Sequence, residues 1–243
     1  MPSARAFGIR RACSDDARSM ALVHLETWKS AYAGIVDEQT LREMSLKESE
    51  QRQRRFLGDE RYLSFVATVN GQDDVVGFAT GGPIRKAVAG YDGELFALHV
   101  HPRYQGRGIG TGLMVRFARS MDERGFARMM AWAFSENPAR VFYEKREGVF
   151  LTESAITVRD QNLRVTSYGW KTRIFWKDRM RRVVRSGFPP RFAVIGERKV
   201  RTTGKEARDR SRRELSASGS PSVRGIPGEP LRSRRSVPIG SSA

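Results

Sequence analysis

The segment Leu98-His99-Val100-His101-Pro102-Arg103-Tyr104-Gln105-Gly106-Arg107-Gly108-Ile109-Gly110-Thr111-Gly112-Leu113-Met114 decides the reading of this chain. An apolar run ends at Val100 and Pro102 stops any strand ladder. The stretch Gln105 to Gly110 then turns directly into an amphipathic helical pattern that closes at Gly125. Glycines there let backbone N–H groups converge on one point, and a helix N-terminus adds positive potential. Together they predict a diphosphate cradle, with Arg107 adding a charge-assisted contact. Two other phosphate loops fail on residue identity. A P-loop needs Gly-Lys-Ser/Thr at its end, and none is present. A dinucleotide fingerprint needs G-x-G-x-x-G, but Thr111 or Leu113 stands at the last glycine position, depending on register.

Outward from this segment the chain alternates strand and helix signals. Phe7 to Arg10 reads as a short strand. Ser14-Asp15-Asp16 offers a helix start with acids in the first turn. Leu25, Trp28 and Tyr32 form an apolar helical stripe that Gly34 ends. A second helix is expected from Asp37 to Leu57. Tyr62 to Val69 and Val75 to Gly82 read as a hairpin joined by Asn70-Gly71-Gln72-Asp73-Asp74. Glu94 to Val100 reads as a central strand buried on both faces. Arg128 to Phe134 is a further strand, Pro138 to Lys145 a short helix with proline at its start, and two weaker strands run from Phe150 to Arg159 and Leu163 to Lys171.

The pattern Q-x-x-G-x-G after V-x-P at a strand end, carried by Val100, Pro102, Gln105, Gly108 and Gly110, resembles the GNAT superfamily of acyl-CoA N-acyltransferases. Asn137-Pro138-Ala139-Arg140-Val141-Phe142-Tyr143-Glu144-Lys145 resembles a second segment of that family. Trp28-Lys29-Ser30-Ala31-Tyr32-Ala33-Gly34 resembles its first helix in many bacterial members. The resemblance covers residues 7–171. It implies an α/β domain with a mixed, mostly antiparallel sheet flanked by helices. One departure is Arg146-Glu147-Gly148-Val149-Phe150, where many relatives carry a tighter Leu-Gly-Phe turn.

The resemblance also implies a function: acetyl transfer from acetyl-CoA, as co-substrate, to a primary amine by direct attack in a ternary complex. Backbone groups of Leu98, His99 and Val100 would pair with the pantetheine arm. Amides of Gln105, Gly106, Arg107, Gly108, Ile109, Gly110 and Thr111 would hold the diphosphate. Asn137 would touch the coenzyme arm, and Tyr143 would lie near the thioester sulfur as the candidate acid. An amine has a pKa of about 10 and arrives protonated, so a base is useful. Strand alternation puts Glu94, Phe96, Leu98 and Val100 on one face. Glu94, a carboxylate opening an apolar strand, is the candidate base, with partial desolvation expected to raise its pKa. Cys13, the single cysteine, rules out an intrachain disulfide framework and is poorly placed for a covalent acyl-enzyme. His99 and His101 lack a third ligand, so no metal is expected.

The net charge of +17 is unevenly distributed: residues 177–243 hold 18 basic and 6 acidic residues, leaving +5 on the body. In residues 216–243, 16 of 28 are Ser, Gly or Pro, a composition that cannot offset ordering entropy by apolar burial. Residues 172–243 are therefore read as a disordered basic tail able to make weak contacts with a polyanion. A nucleic-acid-binding module with a vestigial acyl-CoA site is the competing class; against it, Phe188 and Phe192 are the only aromatics in the segment after residue 176. The biased composition after Lys171 is also that of a frameshifted or read-through terminus. No apolar run approaches the roughly 18 residues of a membrane span, and the N-terminus lacks the apolar region of a secretory signal. The reading is a cytoplasmic protein, compatible with a homodimer, whose acceptor is a small-molecule amine or a protein amine.

Overall fold

In the computed structural model, residues 7–69, 74–185 and 192–194 are described. Their order is β1 (Phe7–Arg11), α1 (Ala17–Ala31), α2 (Glu38–Arg42), α3 (Leu46–Leu57), β2 (Leu63–Val69), β3 (Val75–Pro83), β4 (Gly93–Val100), α4 (Ile109–Glu123), β5 (Arg128–Phe134), α5 (Arg140–Glu144), β6 (Val149–Val158), β7 (Gln161–Lys171), α6 (Thr172–Arg185) and β8 (Phe192–Val194). The strands form one sheet in the order β6-β7-β5-β4-β3-β2-β1-β8. Only β4–β5 and β1–β8 run parallel, so the sheet is mixed and mostly antiparallel, as expected.

Alternation along the strands sorts the core into two layers. Phe65, Ala67, Ala79 and Leu95 pack with Leu113, Met114, Phe117 and Met121 of α4. Val66 and Phe78 point the other way, onto Met20 and Val23 of α1. The single helix expected from Asp37 to Leu57 is two. Asp37 Oδ1 accepts from Thr40 N at 2.8 Å to start α2, and Ser45 Oγ accepts from Glu48 N to start α3. Two strong capping residues in one polar stretch begin two helices. β2 and β3 pair as the expected hairpin, while its turn residues 70–73 lie outside the described residues.

The expected face of β4 is corrected by a bulge. Leu95 pairs with Gly81 and Ala97 with Thr80, so Phe96 is an extra residue. An inserted residue reverses the alternation beyond it. Leu95, Leu98 and Val100 therefore face α4, whereas Phe96 packs on Phe56 and Tyr62 on the α3 side and Ala97 joins the α1 layer. Glu94 shares the side of Phe96 and is opposite to Leu98 and Val100. Gly81 allows the tight crossing here: a Cβ on it would lie 2.2 Å from Glu94 O and 2.5 Å from Phe117.

The boundary expected at residue 171 is also corrected. The chain continues without a break from β7 into α6, which lies on α4. Phe175 is buried against the main core, and Asp122 of α4 accepts from Arg173 Nε at 3.1 Å and from Trp176 Nε1 at 3.2 Å. The sequence signal was Ile174-Phe175-Trp176 followed by Met180 at helical spacing, inside a basic run. Residues 195–243, read from composition as disordered, lie outside the described residues. Among the described residues no helix is long and apolar enough to cross a membrane. If α6 is part of the core, Phe175→Ala should cost about 3–5 kcal/mol of unfolding free energy in urea titration. A change below about 0.5 kcal/mol would return α6 to the status of an appendage.

Candidate active site

β5 pairs with β7 along its whole length, but with β4 only over Met129–Ala131. The last parallel pair is Leu95 with Ala131, immediately before the Phe96 bulge. Beyond it β4 stays on β3 and β5 stays on β7, so the two strands part. Leu98, His99 and Val100 thus present a strand edge to a wedge rather than to a neighbouring strand. The end of that edge is partly occupied: the Val100 carbonyl accepts from Gln105 Nε2 at 3.0 Å and from Thr27 Oγ1 at 3.5 Å.

The glycine loop follows. Pro102–Tyr104 make one tight helical turn, and the amide of Gln105 donates back to the Pro102 carbonyl at 3.3 Å. Gln105 therefore holds the loop to β4 through its side chain, while its amide closes the turn on Pro102. Gly106 and Gly108 adopt left-handed φ of 74° and 85°, which only glycine takes without strain. Among the described residues a Cβ on either would meet nothing within 4 Å, so the surface above them is open. Gly108 is the N-cap of α4 and no side chain caps it. The first-turn amides of Ile109, Gly110 and Thr111 thus combine with the helix dipole at an open surface, which fits a diphosphate. The Arg107 side chain folds over the Tyr104 ring and donates to the Arg103 carbonyl at 3.1 Å.

Across the wedge lies α5. Its entry is fixed by Asn137, whose Oδ1 accepts from Ala139 N at 2.9 Å while its side chain hydrogen-bonds the Tyr32 phenol. Tyr143 packs against Phe142, Tyr168 and Trp170. Burial first, and then the neighbouring Tyr32, raise the Tyr143 hydroxyl well above the ordinary tyrosine range. Burial pushes Tyr32 itself up to about 12. Phe142 bridges to the loop: a Cβ on Gly110 would sit 3.2 Å from its ring and 3.7 Å from Val100. The wedge therefore gathers β4, the α4 N-terminus, Asn137, Tyr143 and Tyr32.

The sequence profile of the acetyltransferase (GNAT) family matches residues 26–148, half of the chain. The chain belongs to this family. It is 29% identical over 163 residues to the uncharacterized N-acetyltransferase YuaI of Bacillus subtilis (strain 168), spanning 67% of this chain and 91% of that protein. The fold is also that of a GCN5-related N-acetyltransferase from Rhodopseudomonas palustris, at 23% identity and a TM-score of 0.55 over 68% of this chain and 96% of the other. The PaiA N-acetyltransferase of Thermoplasma acidophilum, solved in complex with coenzyme A, superposes with a TM-score of 0.51 at 19% identity, over 68% and 99% of the two chains. The protein is thus an acyl-CoA-dependent acyltransferase of the GNAT family.

Two expected features of this acetyltransferase have different surroundings from those read in the sequence. Glu94 is buried, but not among apolar groups alone. Its carboxylate accepts from Arg85 Nη2 at 2.5 Å, from Arg85 Nε at 3.2 Å and from the Arg85 backbone N–H at 3.1 Å. Arg85 lies in turn over the Phe96 ring at 3.9 Å. Both of its oxygens are thereby engaged by Arg85, Oε1 by Nη2 and Oε2 by Nε and the backbone N–H. The partner was invisible in sequence because it comes from the β3–β4 connection. His99 faces α1, packed on Phe78 and His24. His101 accepts from Arg103 N through Nδ1 and contacts Glu26 through Nε2 at 2.5 Å, so Nε2 carries its proton. Tyr32 was read as part of an apolar helical stripe; its place at the C-terminal end of α1 was the signal that its polar tip could reach a site.

Gly108→Val should force a β-branched residue into left-handed φ and weaken coenzyme A binding at least tenfold by calorimetry, with the fold retained by circular dichroism. Unchanged affinity in a folded variant would remove the cradle. A second expectation concerns His99, lowered to about 4 by burial and then by Arg52, and His24, lowered by burial, His99 and Arg52. Both are neutral when folded, and the unfolded chain binds more protons below pH 6.5. The stability they confer is complete above that pH and is lost as pH falls towards 4, by about 3 kcal/mol for His99 alone. Urea midpoints between pH 7.5 and 4.5 should show a shallower slope in His99→Gln; an identical slope would contradict the assignment.

Proposed function

We propose that this chain moves an acetyl group from acetyl-CoA to a primary amine by direct attack in a ternary complex formed in the β4–β5 wedge. One observation carries the reading: the strand edge freed beyond Leu95–Ala131 leads into the uncapped N-terminus of α4, with Tyr143 across from both. When bound, acetyl-CoA supplies a thioester carbonyl open to nucleophilic attack. The edge at Leu98, His99 and Val100 aligns the pantetheine arm. Amides of Ile109, Gly110 and Thr111 bind the diphosphate, and Gly106 and Gly108 keep the approach clear. Tyr143 keeps its proton across the physiological range and offers it to the departing sulfur. Asn137 holds Tyr32 beside Tyr143 through the phenol hydrogen bond.

Glu94 in this reading anchors Arg85; the ammonium gives its first proton to solvent before attack, and the proton released from nitrogen as the amide forms restores the Tyr143 hydroxyl after it protonates the departing thiolate. Cys13 is exposed between β1 and α1, away from the wedge in the strand order, which favours direct transfer. The acceptor enters past the loop after Tyr32, where a depression of about 660 Å³ is lined by Lys29, Ile35, Asp37, Leu41, Arg42 and Gln161. Both signs of charge line it, which suits an amine that carries other polar groups.

Thiol release from acetyl-CoA across a panel of small amines and protein N-termini tests the activity. Tyr143→Phe keeps the ring, so the turnover number should fall on the order of 100-fold with the acetyl-CoA dissociation constant unchanged. A loss traced wholly to coenzyme affinity would move Tyr143 from the chemistry to the binding wall.

A further inference from the structure

Arg146 stands in the segment that departs from the family pattern, and its side chain returns to α4. Its Nε and Nη2 donate to Thr111 Oγ1 at 3.0 and 2.6 Å, and its Nη1 donates to the Phe142 carbonyl at 3.0 Å. The guanidinium lies 3.7 Å from the centre of the Phe142 ring, the same ring that backs Gly110. The head of Arg146 is thereby fixed beside the first turn of α4. A second arginine approaches from α6, beyond the residues the family profile matches. Arg179 lies over Phe175 at 4.3 Å, forms a long ion pair of 3.8 Å with the exposed Glu147 carboxylate and is largely buried. Its charge helps to lower the Arg146 guanidinium, after burial. Two guanidiniums and the positive end of a helix thus converge from three elements. Fixed charges of like sign brought together in this way favour an anion between them.

We propose that Arg146 and Arg179 form a subsite for the 3′-phosphate of coenzyme A. The inference rests on the reading of the α4 N-terminus as the coenzyme's diphosphate site. The diphosphate already has the amides of Ile109 to Thr111 on the side of the glycine loop. Arg146 reaches α4 at the Thr111 side chain from the segment after α5, and Arg179 comes from α6. A phosphomonoester carries between −1.5 and −2 charges at neutral pH, which matches two guanidiniums, and its three oxygens suit a planar fork held flat on an aromatic ring. Helix α6 then has a role: docked by Phe175 and by the Arg173 and Trp176 contacts to Asp122, it completes the coenzyme site.

The test compares coenzyme A with 3′-dephospho-coenzyme A, measured by calorimetry on the full chain. The wild type should bind coenzyme A about 10- to 100-fold more tightly, the range expected for one or two charge-assisted contacts. Arg146→Gln and Arg179→Gln should each reduce that ratio, and the double variant should bring it near one, with affinity for the dephospho form unchanged within about twofold. Arg179→Lys keeps the charge and should retain most of the preference, which separates charge from packing. If Arg179→Gln proves unstable in a thermal melt, the half-buried Arg146→Gln carries the comparison alone. Equal affinities in the wild type, or equal losses for both ligands in the variants, would overturn the subsite. Absence of wild-type binding to either ligand would instead remove the diphosphate reading, and this inference with it.

Discussion

Phe96 has no counterpart on β3, and the two residues Leu95 and Phe96 fill the space that one would occupy opposite Gly81. The strand must bend there, and β4 leaves β5 at the same point. A sheet that simply continued would have closed this edge with hydrogen bonds and left nowhere for an extended ligand to lie. The bulge also reverses the faces, sending Phe96 towards α3 while Leu98 and Val100 remain on the α4 side. Gly81 makes the crossing sterically affordable, and the Arg85–Glu94 clamp lies directly beneath it.

The remainder of the site is built from groups that local structure leaves unsatisfied. Gly108 starts α4 without a side-chain cap, so the amides that follow are available to an anion. α5 is short, yet its position is over-determined by Asn137 at its entry and by the stacking of Tyr143 on Tyr168. Gly148 is obligatory for the same assembly, since a Cβ there would lie 2.6 Å from the Trp170 indole. The unusual turn around Arg146 and Glu147 keeps that glycine, and Glu147 takes a left-handed φ of 60° to do so.

Features carried by short-range chemistry were legible in the sequence. The strand–loop–helix transition from Val100 to Gly110, the β2–β3 hairpin and the Asn137 turn each rest on residues close in the chain. What escaped depends on contacts between distant residues. The bulge cannot be read from β4 alone, because alternation is assumed until a partner strand interrupts it. Glu94 looked like a lone carboxylate because Arg85 reaches it from a connection with no strand or helix pattern. α6 was hidden by the basic composition around it, although Phe175, Trp176 and Met180 pack it on the core. In each case a nonlocal partner overrode a correct local rule.

The buried Arg85–Glu94 fork has a kinetic consequence. Any motion that opened the β3–β4 connection at the apex would separate two desolvated charges, which is costly. The β4 wall of the wedge is therefore held to β3, and a ligand meets that side of the slot already shaped for it. Among acyl-CoA ligands that differ only in the acyl group, encounter rates should be alike. Their affinities should differ through how long each one stays.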